Sequence, residues 1–136
     1  MPQPQRNVEE VLLANGHYPL EAFAFVQRGL AWTVERLGRQ DRPEGERHVT
    51  GQELCLGLRD VAMKEWGRLA RPVLSHMNIR RTDDFGHIVF YLIENHMMQK
   101  RPEDTVEDFF GVFDFVEAFD RGYRIDLSEI KEKAAE

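Results

Sequence analysis

Helix punctuation constrains this chain more than any other feature. Between Asn7 and Gly122, residues that start helices alternate with residues that stop them, and apolar side chains recur three and four apart in between. Asn7 and Glu10 have capping-box spacing, in which each side chain satisfies a free backbone N–H. Val8, Val11 and Leu12 follow as an apolar face, and Gly16 suits the left-handed position that ends a helix. A second helix opens at Pro19, whose missing N–H is not needed in a first turn. It carries Phe23, Val26, Leu30, Val34 and Leu37 along one side and stops at Gly38. Residues of about 39–49 are charged, contain Pro43 and Gly45, lack periodicity and read as a surface loop.

Thr50 and Glu53 repeat the capping-box spacing and open a third helix with Leu54, Leu58, Val61 and Ala62 on one face. It pauses near Gly67, and Pro72 interrupts it, leaving a short helix over Val73–Met77 with Asn78 as its cap. A fourth helix follows Thr82 as N-cap, with Asp83 and Asp84 at the positive end of its dipole. Phe85, Ile88, Val89 and Leu92 line one side, and Phe90, Ile93 and Met97 widen the apolar arc, as in a helix central to its bundle. Residues 88–93 also fit a short buried strand, but length and the N-cap favour helix. A fifth helix is expected over Val106–Phe119, capped by Thr105 with Asp108 and ended by Gly122. Asp126, Leu127 and Ile130 suit one more short helix before a tail that frays from about residue 131. The fold expected is therefore all-α, a single-domain bundle of five to six helices over residues 1–136.

Charge limits the function classes. The net charge is −6, which repels phosphate backbones and sets nucleic acid low among the candidate partners. One cysteine, Cys55, cannot form an internal disulfide, so a reducing compartment is the default. No apolar signal region precedes Asn7, and the longest apolar run, Ile88–Ile93, is far below the ~20 residues of a membrane span. A cytoplasmic protein without a membrane partner is expected.

The candidate sites each have an ordinary structural alternative. Asp83, His87 and Glu94 fall within about 40° of one another on a helix and could ligate a divalent metal. The alternative is a solvated polar stripe on an otherwise buried helix. His96 and His76 lack partners at a known spacing, so no acid–base pair can be built from them. Cys55 sits in a first helical turn, where a thiolate is favoured, but its type is most often buried as a small hydrophobe. Phe25 and Trp32 lie opposite the main stripe of the second helix, and Phe110 and Phe115 lie outside the stripe set by Phe109, Phe113 and Val116. Such aromatics form either a second packing face or a partner surface. Arg68, Arg71, Arg80 and Arg81 bracket two helical segments and loosely suggest helix-turn-helix. The place where a recognition helix needs donors, however, holds Asp83 and Asp84.

Three functions follow in order. The first is a non-catalytic interaction module presenting aromatics among acidic residues to a protein partner, with self-association into a homo-oligomer left open. The second is a metal binder or enzyme using Asp83, His87 and Glu94. The third is a nucleic-acid-associated regulator using the arginines. No cofactor is expected.

A longer pattern runs through the chain. His48-Val49-Thr50-Gly51-Gln52-Glu53-Leu54 precedes Gly67 and Val73-Leu74. Asn78-Ile79-Arg80-Arg81-Thr82-Asp83-Asp84-Phe85-Gly86 and Ile88-Val89-Phe90 follow. Glu103-Asp104, Glu107-Asp108-Phe109 and Asp114-Phe115-Val116-Glu117-Ala118-Phe119 close the run, and Tyr18-Pro19 also fits. In these residues, about half the chain, it resembles a small bacterial family, the Verrucomicrobia–Planctomycetes-restricted conserved proteins. The resemblance implies no particular activity. In that family an acidic residue usually follows Asp-Phe-Gly; His87 stands there here, which weakens a shared catalytic or metal role for the position. The triplet is not the kinase element, since no glycine-rich loop and no His-Arg-Asp accompany it.

Overall fold

The computed structural model describes residues 7–43, 46 and 48–121. Among them are five α-helices and no strand: α1 Val8–Leu13, α2 Leu20–Arg36, α3 Gly51–Trp66, α4 Ala70–His76 and α5 Thr82–Glu94. A 3-10 turn at Gly67–Leu69 joins α3 to α4. A second 3-10 turn at Val106–Phe109 and a π turn at Val116–Arg121 complete the described chain. The all-α expectation holds, and residues 88–93 are helix. The short helix expected around Asp126, and the frayed tail, lie outside the described residues.

The caps account for most boundaries. Asn7 accepts from the Glu9 N–H at 2.8 Å. Thr50 Oγ1 accepts from the Glu53 N–H at 3.1 Å, and the Glu53 carboxylate accepts from the Thr50 N–H at 3.0 Å, which completes a capping box. After α4 the chain turns through Asn78 at φ 63°. The Asn78 N–H reaches the Ser75 carbonyl and the Ile79 N–H reaches the Leu74 carbonyl, both at 2.9 Å. That is the Schellman pattern, and the apolar residues it brings together, Leu74 and Ile79, are both fully buried.

Three boundaries differ from expectation. Pro72 does not interrupt a helix, because it occupies the first turn of α4, where its missing N–H has no intrahelical partner to lose. Thr82 is not the N-cap of α5 but its first residue. It is fully buried, and its hydroxyl accepts from the Val112 N–H at 3.1 Å. The cap is made instead by Asp84, whose Oδ2 accepts from the N–H groups of Arg80 at 2.8 Å and Arg81 at 3.2 Å. Lastly, the helix expected over Val106–Phe119 is broken into two short turns. Gly111 bends back at φ 59° and its N–H is taken by the Asp83 carboxylate at 3.1 Å, so the segment docks on the start of α5 instead of running on as a helix.

The core lies among α2, α3 and α5. α5 contributes Phe85, Ile88, Val89 and Leu92, and α2 contributes Phe23, Phe25 and Val26. At the crossing of α2 and α3 two glycines let the backbones close up. A Cβ on Gly29 would lie 2.1 Å from Leu58 Cδ2, and one on Gly57 would lie 1.8 Å from Thr33 Oγ1. Phe109 is seated the same way, with its ring 3.1 Å from where a Cβ on Gly51 would stand and 2.9 Å from one on Gly86.

Candidate functional site

Three concavities open on this framework, and each is built from segments distant in sequence. The first is a groove of about 520 Å³ between α2 and α4. Its floor is Phe25, 5.1 Å from the Trp66 ring, and its apolar wall runs through Pro72, Val73 and Met77. Leu69 stands at the edge 61% exposed because the 3-10 turn after Gly67 swings it out of the α3 stripe. Glu21, Arg28 and His76 supply the polar rim. Arg28 lies over the Phe25 ring at 5.8 Å and pairs with Glu65 at 3.0 Å. Glu21 has no hydrogen-bond or ion-pair partner among the described residues.

The second is a polar cleft of about 500 Å³ at the start of α5. Tyr18 donates to Asp84 Oδ1 at 2.6 Å, and His87 Nδ1 lies 3.5 Å from the same phenol oxygen. Burial, then the hydrogen bond and charge of Asp84, hold the Tyr18 phenol well above its ordinary value. It is therefore a neutral donor. Asp84 accepts from Tyr18, Arg80 and Arg81 together, so its lone pairs are committed to fastening the α1–α2 turn onto α5. Asn78 adds a second tie by donating to the His17 carbonyl at 2.7 Å.

The third, of about 700 Å³, lies at the other end of α5, where the segment after it folds back over α2 and α3. His48 Nε2 sits 2.9 Å from Asp104 Oδ2 and ties the start of α3 to that segment. Asp104 also accepts from the Arg101 N–H at 2.8 Å. His96 follows the end of α5 at φ 59°, with the Met97 N–H returning to the Leu92 carbonyl at 2.8 Å. It is a left-handed cap residue, and not a residue on the apolar face of a continuing helix.

The residues singled out from sequence fall unevenly on this map. Phe25 and Phe115 are not presented to a partner: Phe25 is fully buried, and Phe115 packs 5.8 Å from Phe85 and 5.0 Å from Phe119. α2 faces core on two sides, which is why an aromatic off its main stripe is still inside. Trp32 is half-buried with Arg36 over its ring at 5.6 Å. Phe110 alone of the four is exposed, at 42%, with its ring 5.9 Å from that of His87. Asp83 is engaged by Gly111, His87 faces Tyr18 and Asp84, and Glu94 is exposed at the far end of the helix. Among the described residues, no three His, Cys, Asp or Glu side chains are gathered as metal ligands.

The arginines divide as well. Arg80 and Arg81 line the cleft beside Asp83 and Asp84, whereas Arg71 pairs with Asp120 at 2.9 Å and Arg68 is exposed on the 3-10 turn. His76 and His96 line different concavities. Cys55 is fully buried; burial, and after it the negative charge of Asp83, pushes its thiol up to about 12. The His48–Asp104 and Tyr18–Asp84 contacts were missed from sequence. Their partners are 56 and 66 residues apart, and neither pair follows a local spacing rule.

No protein-family model, curated protein or solved structure matches the chain. No described helix is long and apolar enough to cross a membrane.

Proposed function

We propose that the chain is a non-catalytic, cytoplasmic protein-interaction module of the bacterial family it resembles, and that the groove between α2 and α4 is its docking face. The observation that carries this is Leu69, a leucine 61% exposed at the lip of an apolar groove floored by Phe25 and Trp66. Exposed apolar surface of that kind, rimmed by polar groups, suits a partner more than water. The occupant is an amphipathic helical segment of another protein, with a large apolar anchor packing on Leu69 and Trp66 and a basic residue for Glu21. Glu21 lacks a partner among the described residues and the whole chain carries a net charge of −6, so a basic flank is favoured both at contact and during approach.

The test is selection of a displayed random-peptide library against the purified protein. Amphipathic winners carrying Lys or Arg, lost on Leu69→Asp and kept on Leu13→Asp, support the proposal. Leu13 is 54% exposed on α1 and lies away from the groove, so it controls for adding a charge to the surface. No enrichment, or binders indifferent to Leu69→Asp in a variant that melts like the parent, overturns it.

A further inference from the structure

The 700 Å³ cavity at the end of α5 is unlike the other two concavities in what lines it. Leu30, Val49, Phe90, Ile93, Met97 and Met98 all border it, and all six are only partly buried although packed against the core. Elsewhere the large exposed apolar residues stand mostly singly, such as Val8 and Leu37. A set of half-covered apolar side chains converging on one space of this size is the usual composition of a small-molecule pocket, which spans about 300–1,000 Å³.

The charged groups of the lining differ in their partners. Both carboxylates on it are already engaged: Asp104 by His48 and the Arg101 N–H, and Asp108 by the Thr105 N–H at 2.9 Å. The cations are not matched in the same way. Lys100 Nζ donates only to the carbonyls of Arg101 at 3.2 Å and Asp104 at 3.4 Å, and no described carboxylate stands within ion-pair distance of it. Arg101 has only the exposed Glu103 at 3.7 Å. Carbonyl oxygens orient the Lys100 ammonium but leave its charge uncompensated.

We infer that this cavity binds a small amphiphile, an aliphatic chain ending in a carboxylate, with the chain against Ile93, Phe90 and Met97 and the head group at Lys100 and Arg101. An aliphatic body would complete the burial of the half-covered residues. A carboxylate would supply the counter-charge that no described residue provides to Lys100. The binding site is independent of the docking groove, which lies on the other side of α2 and shares no lining residue with it.

The experiment is an NMR titration of methyl-labelled methionines with decanoate, and in parallel with decylammonium, which has a chain of the same length and the opposite charge. Met97 and Met98 line the cavity, while Met63 and Met77 do not and serve as internal controls. Saturable shifts of Met97 and Met98 below the micelle concentration are expected, with decanoate bound about tenfold more tightly than decylammonium. That ratio corresponds to about 1.4 kcal/mol. Lys100→Glu should erase or invert the preference while leaving the fold intact, because Lys100 is exposed. Ile93→Trp, which fills the cavity, should abolish the shifts from both ligands. Equal affinity for the two ligands would overturn the inference. So would shifts centred on Met77, no saturable shift at all, or a Lys100→Glu variant with the parent's preference.

Discussion

Replacing Gly57 by alanine tests the packing at the centre of the bundle. The new Cβ would lie 1.8 Å from Thr33 Oγ1, well over an ångström inside ordinary contact, with Thr33 Cβ at 3.0 Å and Cγ2 at 3.1 Å behind it. Thr33 is 2% exposed and its hydroxyl donates to the Gly29 carbonyl at 2.6 Å, so rotating it away strands a buried hydroxyl, which costs about 1–3 kcal/mol. Parting α2 from α3 instead is overpacking, also about 1–3 kcal/mol. Alanine returns about 1 kcal/mol of helix propensity. Because the clash is deep, the cost lies at the upper end of these ranges, and the net loss expected is about 1–2 kcal/mol, or roughly 3–8 °C in Tm for a chain of this length. Thermal and urea unfolding of Gly57→Ala, Thr33→Ala and the double variant measure it. In the Thr33→Ala background the oxygen is gone, and Gly57→Ala should become neutral or slightly stabilising. A Gly57→Ala variant that melts at or above the parent, or a cost that persists unchanged without the Thr33 hydroxyl, refutes the reasoning.

Other outcomes follow from ionisable groups. Because folding raises the Tyr18 pKa above the ordinary 10.0 of a tyrosine, the neutral phenol contributes stability below that pH and the contribution is lost as the pH rises beyond it. Alkaline unfolding should begin later in Tyr18→Phe, and ultraviolet titration should show this phenol still protonated where free tyrosine is ionised. Cys55, with its thiol at about 12 and no exposed surface, should react with an aromatic disulfide reagent at the rate of unfolding only, and at once in denaturant. The Arg39 hydrogen bonds hold the Glu53 carboxyl below its usual 4.5, so its contribution is present above that pH and disappears as the pH falls through the native value. Glu53→Gln should flatten the acid limb of the stability profile measured by urea titration.

How far the sequence announced this structure depends on where the deciding interactions lie. Caps are local, so Asn7, the Thr50–Glu53 box, Gly38 and Asn78 were legible. The turns at Gly38 and Asn78 do carry φ of 70° and 63°. The region 106–119 was misread because Phe109, Phe113 and Val116 satisfy helical spacing, yet the segment is placed by tertiary neighbours. Phe109 fits against Gly51 and Gly86, and Phe115 packs 5.8 Å from Phe85. Tertiary packing outweighed local propensity there. His96 was read as helical because it continues the register of α5, and a positive φ is uncommon for any residue other than glycine; nothing local distinguishes it from the turn before it. The groove, the cleft and the cavity each need side chains from two or more elements, so only single members such as Phe25, His87 and His96 were visible beforehand, without the surfaces they serve.

The fastening of α1 has a kinetic consequence. A six-residue helix has no independent stability in water. Its neighbouring turn is held by Asp84 and Asn78, and Tyr91 donates to the Val11 carbonyl, so although α1 also touches α2 these ties reach into the second half of the chain. α1 therefore becomes fully ordered only once α5 is in place. For the same reason it can detach while α2, α3 and α5 stay packed, which makes the amino-terminal segment a separate unit of local opening.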